Sequence, residues 1–432
     1  MSIIKNIRLG LLHVAVAITF VLINGVLNRV MIHDLNILAS LVAVLVVLPY
    51  LLSPLQVWVG QHSDTHPIAG YRRTPYILLG LLLCIGGMVL TPHAAMRMPE
   101  HLVAGILLGA VAFGAWGIGY NLAVVGYLSL ASDLSEEHQR SRTIAIMWFM
   151  MIVSIIATAI IAGRALAQYD AARLVYVFNT GGLIALGIAA LGLVGLEPRG
   201  NLPAAQSRAS QRAALRAVLG NAQARRFFVY LILMLAAILG QDILLEPYGA
   251  QAFGMTVAQT TQLTATWGGA TLIALLLQGL VLSRWLSKKT GAVLGALLAT
   301  AGLLLIAGSG LLSMQALFVP GVFTLGFGTG IATSTNLGLM LDMTTPEQVG
   351  LFIGAWGLAD ALARGAGMLL GGVLRDLVTA ATGNGSSGYI AVFLIEAMML
   401  ACSLLLLRAI DVRSFRSQQP TLTELVALAG DA

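Results

Sequence analysis

The stretch Gln241-Asp242-Ile243-Leu244-Leu245-Glu246-Pro247-Tyr248-Gly249 places two carboxylates one helical turn apart at the end of a long apolar segment. A charged side chain in hydrocarbon is costly, so such residues usually belong to a pathway, a partner contact or a gate. A shift of 217 positions sets this stretch on Asn24-Gly25-Val26-Leu27-Asn28-Arg29-Val30-Met31-Ile32. The shift aligns Arg29 with Glu246. Opposite charges at equivalent positions predict a two-fold repeat with charged residues at the contact between the two halves, which we call the seam.

The composition is that of a membrane protein. The chain is 58% hydrophobic and 10% charged, with a mean hydropathy of +0.89, well outside the range of soluble domains. Apolar runs long enough to span a bilayer predict twelve helices: Leu11–Val30, Leu38–Val59, Tyr76–Leu90, Leu102–Leu122, Thr143–Leu166, Val175–Leu196, Phe227–Leu245, Thr264–Leu282, Gly291–Leu312, Leu317–Leu339, Gly350–Leu374 and Tyr389–Leu407.

The distribution of basic residues predicts the orientation. With the N-terminus in the cytoplasm, most of the 24 Lys and Arg residues fall in cytoplasmic loops, in agreement with the positive-inside rule. Both termini are then cytoplasmic. The net charge of +6 is scattered over several loops, which indicates attraction to anionic lipid rather than nucleic acid. Cys84 and Cys402 lie in apolar segments and predict neither a disulfide framework nor a metal site.

One long polar break divides the chain. The predicted organisation is a six-helix half at 1–196, a basic cytoplasmic linker at 197–226, a second six-helix half at 227–409 and a cytoplasmic tail at 410–432. In the linker Arg208, Arg212 and Arg216 recur every fourth residue, which fits either a basic helix on the membrane surface or a solvated connection. A second internal sequence similarity supports the repeat. It joins Asp133-Leu134-Ser135 and Asp342-Met343-Thr344, which follow the fourth span of each half.

The loop between the second and third runs, residues 60–75, carries a recognisable pattern. Gly60 and Asp64 precede a Gly-x-Arg-Arg element formed by Gly70, Arg72 and Arg73. This pattern resembles the cytoplasmic-loop signature of the major facilitator superfamily, although the spacing from Asp64 to Arg72 is longer than usual. The resemblance implies a charge network that steadies one conformational state, while a purely topological role for the two arginines stays open.

Three pieces together carry a more specific resemblance: Leu27–Ile32, Ser63–Pro75 and Gln241–Gly249. They are similar to the bacteriochlorophyll-delivery branch of the major facilitator superfamily, the PucC- and LhaA-like proteins. The resemblance implies an all-α membrane protein with the major facilitator fold of twelve transmembrane helices in two six-helix halves. It also implies a role in assembling light-harvesting complexes, with bacteriochlorophyll or chlorophyll as cargo and light-harvesting polypeptides as partners. The location implied by the resemblance is a bacterial inner membrane, cytoplasmic or intracytoplasmic.

Polar residues inside the apolar runs are the candidate site. Six of them are assigned to an outer gate or cavity: Asn24, Asn28, Arg29, Gln241, Asp242 and Glu246. We expect Arg29 to pair with Glu246 across the seam, and Asp242 to face Asn24 or Asn28. Asp360 and Arg364 stand four apart on one helical face, either as a neutralising pair or as part of the cavity.

The roles of three further groups of polar residues can be interpreted in more than one way. Glu396, in the last run, is either a protonated acid or a proton relay. His13, His93 and His101 lie near predicted membrane boundaries as candidate pigment ligands or as plain polar end groups. Asn121 and Asn336 lie on spans that border a cavity or tie helices together.

Three classes of function follow. A pigment-handling assembly factor is the preferred hypothesis. A proton-coupled transporter using Asp242, Glu246, Asp360 and Glu396 is the closest rival, and a scaffold that holds antenna helices without transport is the third. No phosphate-binding loop, His-Glu-x-x-His motif or Ser-His-Asp arrangement is recognisable, so we do not expect an enzyme.

Overall fold

The computed structural model describes residues 3–136, 139–199, 222–342 and 349–410. These residues form helices joined by short turns, and their only β-type pairing is the isolated bridge between Ile68 and Tyr71. Eleven described segments are long and apolar enough to cross a membrane, and the shorter apolar helix Ala39–Leu51 is continued by Leu55–Thr65. The predicted all-α membrane fold is confirmed.

We number the membrane-crossing segments in chain order. Spans 1 to 6 form the first half: Ile3–Asp34, Ala39–Leu51 with Leu55–Thr65, Thr74–Arg97, Leu102–Leu134, Arg140–Ala165 and Ala171–Leu193. Spans 7 to 12 form the second half: Ala222–Leu239 with Gly240–Ile243 and Leu245–Phe253, then Val257–Leu280, Lys288–Leu311, Phe318–Asp342, Val349–Thr382 and Gly385–Arg408. The face at which span 1 begins and span 12 ends is called the terminal face, and the other is the opposite face.

Several predicted boundaries shift for identifiable reasons. The predicted run Leu38–Val59 is interrupted between Leu51 and Leu55, next to Pro49 and Pro54, because proline cannot donate the helical hydrogen bond. The run predicted to end at Leu90 continues as a helix to Arg97 through Pro92, as membrane helices tolerate. The predicted surface helix in the linker falls on residues outside the described ranges, so it stays a prediction.

Spans 1 and 7 are both irregular at the positions that the 217-residue shift aligns. Span 1 changes from α-helix to π-helix over Leu22–Leu27, and span 7 narrows to a 3-10 turn over Gly240–Ile243. In span 7 the break lies one turn before Pro247, which offers no N–H to the carbonyl of Ile243. Such departures from the α-helix often occur at functional sites, and they expose backbone carbonyls to neighbouring helices.

Close helix packing repeats in the two halves. Spans 3 and 4 approach so closely at Gly80 and Gly87 that an added Cβ would overlap the backbone of the facing helix. Spans 9 and 10 do the same at Gly295 and Gly302, which have the same seven-residue spacing. Small residues allow this approach in lipid, where dispersion contacts replace the hydrophobic effect between helices.

An ion pair at the terminal face also repeats. Arg73, before span 3, pairs with Asp133 near the end of span 4, with Nε and Oδ2 3.0 Å apart. Lys288, at the start of span 9, pairs with Asp342 at the end of span 10, with Nζ and Oδ1 2.7 Å apart. The internal sequence similarity around Asp133 and Asp342 therefore corresponds to equivalent ion pairs in the structure.

The two halves meet next to the opposite face. Span 5 packs on span 8, and the outer part of span 2 packs on span 11. Every hydrogen bond between described residues of the two halves lies between mid-membrane and the opposite face, as in the bond from Thr261 to the carbonyl of Gly25. The described residues thus form an arrangement that is closed at the opposite face.

Candidate functional site

The centre of the site is an arginine held between two acids. Arg364 of span 11 places Nη1 2.9 Å from Oδ2 of Asp242 in span 7. Its Nε lies 3.3 Å from Oδ2 of Asp360, one turn earlier on the same helix. The predicted pair of Asp360 and Arg364 is thus present, and Asp242 is a second partner that sequence spacing did not reveal. About a fifth of the Arg364 side chain, 21%, is exposed, so part of the guanidinium can still donate to a ligand.

Polar side chains from both halves surround this centre. Gln241 donates to Oδ1 of Asp242 at 2.8 Å, and Asn28 of span 1 donates to the Asp242 backbone carbonyl at 3.4 Å. The Tyr50 ring of span 2 lies 5.7 Å from the Arg364 guanidinium carbon, within the range of a cation–π contact. Asn28 therefore faces Asp242 as expected, but it binds the backbone rather than the carboxylate.

The expected ion pair between Arg29 and Glu246 is wrong. Arg29 pairs with Asp34 of its own span and donates through Nη2 to the Met255 carbonyl at 3.2 Å. Glu246 instead accepts a hydrogen bond from the Thr264 hydroxyl at 2.7 Å. The physical reason is local, because π-helical turns bring residues five apart close together, and this geometry gives Arg29 an acid within its own half.

Asn24 also bonds locally, since its amide donates to the Phe20 carbonyl at 3.0 Å. Asn121 donates to the Pro49 carbonyl of span 2 at 2.8 Å. Asn336 accepts from the Tyr230 hydroxyl at 2.9 Å. The last two asparagines thus tie neighbouring helices together, as the packing alternative predicted.

Glu396 is buried beside the break in span 7. A Cβ added to Gly240 would lie 2.6 Å from Oε1 of Glu396, so the carboxyl group packs directly against this turn. Both carboxyl oxygens are buried without a hydrogen-bond partner among the described residues. A charge in such a place would be strongly unfavourable, which leaves the protonated-acid and proton-relay readings as the two alternatives.

One charged contact across the seam joins an acid to the start of a helix, and it was not predicted. Asp376, near the end of span 11, accepts hydrogen bonds from the backbone N–H groups of Ala39 at 3.2 Å and Ser40 at 2.8 Å. These are free donors at the start of span 2, where an acid also interacts favourably with the helix dipole. Asp376 pairs in addition with Arg375 at 2.9 Å. We call the contact between Asp376 and the start of span 2 the seam latch.

The loop at the terminal face forms a buried network around Arg73, which is 0% exposed. Besides the ion pair with Asp133, Arg73 donates through Nη1 to the Ser63 hydroxyl at 2.5 Å and to the Gly60 carbonyl at 3.5 Å. Spans 2, 3 and 4 are thereby joined. The Asp64 side chain lies outside the part of the chain that the structure describes, so its predicted place in this network stays a prediction.

Glu197 completes this network and was missed as a site residue. Its carboxylate accepts hydrogen bonds from the backbone N–H groups of Arg72 at 2.8 Å, Arg73 at 3.0 and 3.2 Å, and Thr74 at 2.6 Å. It therefore caps the start of span 3 from the end of span 6, although the two lie more than 120 residues apart. A single acid at the edge of a basic linker was the available signal.

Gly70 has a structural reason for being glycine. Ala69 and Gly70 both have positive φ, 54° and 81°, and Ile68 and Tyr71 exchange backbone hydrogen bonds across them. This is the geometry of a two-residue hairpin turn of type I′, in which glycine is strongly preferred. The turn reverses the chain so that Arg72 and Arg73 point back to the helix ends.

The three histidines lie in different surroundings. His13 is buried in span 1, and its ring centroid lies 5.2 Å from Tyr127 and 5.8 Å from Trp148. His93 and His101 are exposed near the opposite face. The described residues contain no group of three or more His, Cys, Asp or Glu side chains placed to hold a metal ion.

The fold is shared with solved structures whose names refer to transporters. The crystal structure of a bacterial homologue of the human lysosomal transporter Spinster, inward-facing and unoccupied, matches with a TM-score of 0.72 at 13% identity, over 98% of this chain and 100% of that one. The nucleoside transporter NupG matches with a TM-score of 0.70 at 13% identity, over 96% and 100%. These likenesses show the fold of the major facilitator superfamily.

Sequence comparison identifies the family. The model of the PUCC protein family matches residues 26–415. Protein PucC of Rhodovulum sulfidophilum is 34% identical over 87% of this chain and 85% of that protein. Protein PucC of Cereibacter sphaeroides is 32% identical over 93% and 91%. A Rhodobacter capsulatus protein named bacteriochlorophyll synthase 44.5 kDa chain is 31% identical over 86% and 87%. The chain therefore belongs to the PucC family of membrane proteins.

Proposed function

We propose that the protein is a membrane-embedded assembly factor for photosynthetic light-harvesting complexes. It binds bacteriochlorophyll or chlorophyll as cargo and presents it to light-harvesting polypeptides. The observation that carries the proposal is membership of the PucC family along almost the whole chain, together with a relative whose name refers to bacteriochlorophyll. The proposal places both termini in the cytoplasm, in a bacterial inner membrane.

The central site supports a ligand of this type. It has a partly exposed guanidinium, Arg364, next to the aromatic ring of Tyr50, in a structure closed at the opposite face. A flat ligand with carbonyl groups can stack on an aromatic ring and accept hydrogen bonds from a guanidinium. His13, His93 and His101 stay the candidate ligands of a chlorin magnesium.

Pigment extraction tests the proposal directly. The gently solubilised protein should carry a chlorin absorption band, and the extracted pigment should be bacteriochlorophyll or chlorophyll. An unrelated twelve-helix transporter purified from the same membranes is the control. Deletion of the gene should lower antenna absorbance while pigment synthesis continues, and normal antenna absorbance without a compensating paralogue would refute the assembly role.

A proton-coupled transporter is the second candidate function. It is favoured by the membrane-embedded acids Asp242, Asp360, Glu246 and Glu396 and by the transporter fold. The discriminating result is proton-dependent uptake by reconstituted vesicles, lost when Asp242 is changed to Asn. A third reading, a scaffold without transport, predicts no reciprocal change of accessibility at the two faces. All three readings are non-enzymatic.

A further inference from the structure

A groove lies on the outer surface of the first half, away from the seam. It is formed between spans 3 and 6 and encloses about 410 Å³. Its lining is Leu82, Ile85, Gly86, Val89, Asn179, Gly182, Leu183 and Leu186. Gly86 forms an open part of the floor, since an added Cβ there would meet no atom within 4 Å. The groove is therefore apolar except for one amide.

That amide, Asn179, is exposed and makes no side-chain hydrogen bond to any described residue. Among the asparagines within the described spans this is exceptional. Asn24, Asn121 and Asn336 each donate to a carbonyl one turn earlier. Asn28 binds the Asp242 carbonyl, and Asn6 accepts from Thr143. Asn179 therefore has hydrogen-bonding capacity that its own protein leaves unused.

The depth of Asn179 excludes the usual polar partners of a membrane protein. It lies eight residues into span 6, which begins at Ala171, so it is roughly 12 Å below the end of the helix at a rise of 1.5 Å per residue. Gly86 lies twelve residues into span 3 from the other side. Both are thus near mid-membrane, where neither water nor lipid headgroups can bind the amide.

We propose that this groove docks one membrane-spanning helix of another polypeptide, which packs over Gly86 and supplies a hydrogen-bonding group to Asn179. Two features favour a helix over a lipid chain. A hydrocarbon chain offers nothing to an amide, whereas asparagine side chains hydrogen-bond across packed membrane helices. The open glycine lets a second backbone approach closely, as small residues do at membrane helix interfaces.

The groove also has the dimensions of such a contact. Its lining extends from Leu82 to Val89 on one helix and from Asn179 to Leu186 on the other. Each is about two helical turns, roughly 10 Å at the α-helical rise, which is close to the diameter of one helix. With the proposed function, on which this assignment rests, the docked helix belongs to a light-harvesting polypeptide.

Photocrosslinking tests the proposal. Benzoylphenylalanine is placed at Leu183, in the groove, or at Leu191, which lies on the same span outside the groove and is equally exposed at 71%. The full-length protein is reconstituted in vesicles with purified light-harvesting polypeptides and illuminated. We expect an adduct with the mass of one polypeptide from position 183 and none from position 191.

Variants in the groove sharpen the test. Asn179→Leu should lower the adduct yield about threefold to tenfold, as expected for loss of one interhelical hydrogen bond. Gly86→Leu should abolish the adduct by filling the floor. Gly187→Leu is the matched control, because Gly187 is an exposed span 6 glycine with equally open surroundings that does not line the groove, and it should leave the yield unchanged.

The other outcomes overturn the proposal. An adduct of twice the protein's mass would assign the groove to a second copy, and adducts only with lipid or pigment would assign it to a small molecule. Antenna absorbance in the same strains separates this inference from the proposed function. A deletion without effect refutes the assembly role, whereas a deletion that lowers absorbance while Asn179→Leu and Gly86→Leu leave it normal refutes only the docking site.

Discussion

Replacing Asp376 by Ala should open the seam at the opposite face. The change removes the carboxylate that accepts hydrogen bonds from Ala39 and Ser40 at the start of span 2. Because this contact joins the two halves, its loss destabilises only arrangements in which the halves are closed at that face. The population open at the opposite face should rise accordingly.

The size of the shift follows from the two hydrogen bonds. Removing a carboxylate N-cap costs about 0.5–2 kcal/mol, and a hydrogen bond to a charged group contributes about 1.5–3 kcal/mol. Water replaces the lost partners when the seam opens, so we take a value in the lower range, about 1.4 kcal/mol. This corresponds to about a tenfold change in the ratio of the two states.

Labelling of a single cysteine measures this ratio. Cys84 and Cys402 are replaced, and Val47, which is fully buried where span 2 packs on span 11, is changed to Cys. A membrane-impermeant maleimide added at the opposite face reacts only after the seam opens. We expect Asp376→Ala to raise the labelling rate about tenfold.

Asp170→Ala provides the matched control. Asp170 caps the start of span 6 at the same face, accepting from the Arg173 N–H at 2.7 Å, but both residues belong to the first half. This variant loses a cap of the same type and should label at the wild-type rate. Equal rates for Asp376→Ala and wild type at equal abundance, or an equal increase in Asp170→Ala, would refute the latch.

Three further variants test other contacts. In thermal unfolding, the losses of stability caused by Arg29→Gln and Asp34→Asn should be non-additive because the two side chains pair. The losses caused by Arg29→Gln and Glu246→Gln should add. The opposite pattern would support an ion pair between Arg29 and Glu246. Glu197→Ala should destabilise the protein by about 1–3 kcal/mol because it leaves the N–H groups at the start of span 3 uncapped. Its Tm should be lower than that of Glu100→Ala, a control at an exposed glutamate. Equal Tm values for the two variants would contradict the cap. Gly70→Ala should lower the Tm by more than Gly70→Asn, because Asn tolerates positive φ better; equal losses would argue against the turn.

The sequence predicts local features of this protein well. Apolar run length gave the spans, and the four-residue spacing of Asp360 and Arg364 gave a pair that is present. The aligned segments at 24–32 and 241–249 coincide with irregular turns in spans 1 and 7. Each of these depends on residues that are near in the chain, where helical geometry fixes the distance.

Long-range partners could not be read from the sequence in the same way. Asp376 and Ser40 are 336 residues apart, and Glu197 and Thr74 are 123 apart. In both cases the partner is a backbone N–H group at a helix start, which carries no residue-type signal. The error at Arg29 has a different origin, since the alignment with Glu246 assumed regular α-helix where span 1 is π-helical.

The outcome at Arg29 fits a more general feature of the charges. Every ion pair of a Lys or Arg between described residues joins side chains of the same half: Arg29 with Asp34, Arg73 with Asp133, Lys288 with Asp342, Arg364 with Asp242 and Asp360, and Arg375 with Asp376. The polar contacts across the seam named above are of another kind: hydrogen bonds in which one partner is a backbone group, and the cation–π contact of Arg364 with Tyr50.

This division of contacts has an energetic consequence. Breaking a buried ion pair by removing one partner costs about 3–5 kcal/mol because a charge is left uncompensated, whereas alternating states of a protein usually differ by a few kcal/mol. An Arg29–Glu246 pair across the seam would have imposed such a penalty at each opening. With each of these ion pairs confined to one half, the halves can separate while Arg364 keeps both acids and Asp376 keeps Arg375. The barrier is then set by hydrogen bonds such as the seam latch, which water can replace.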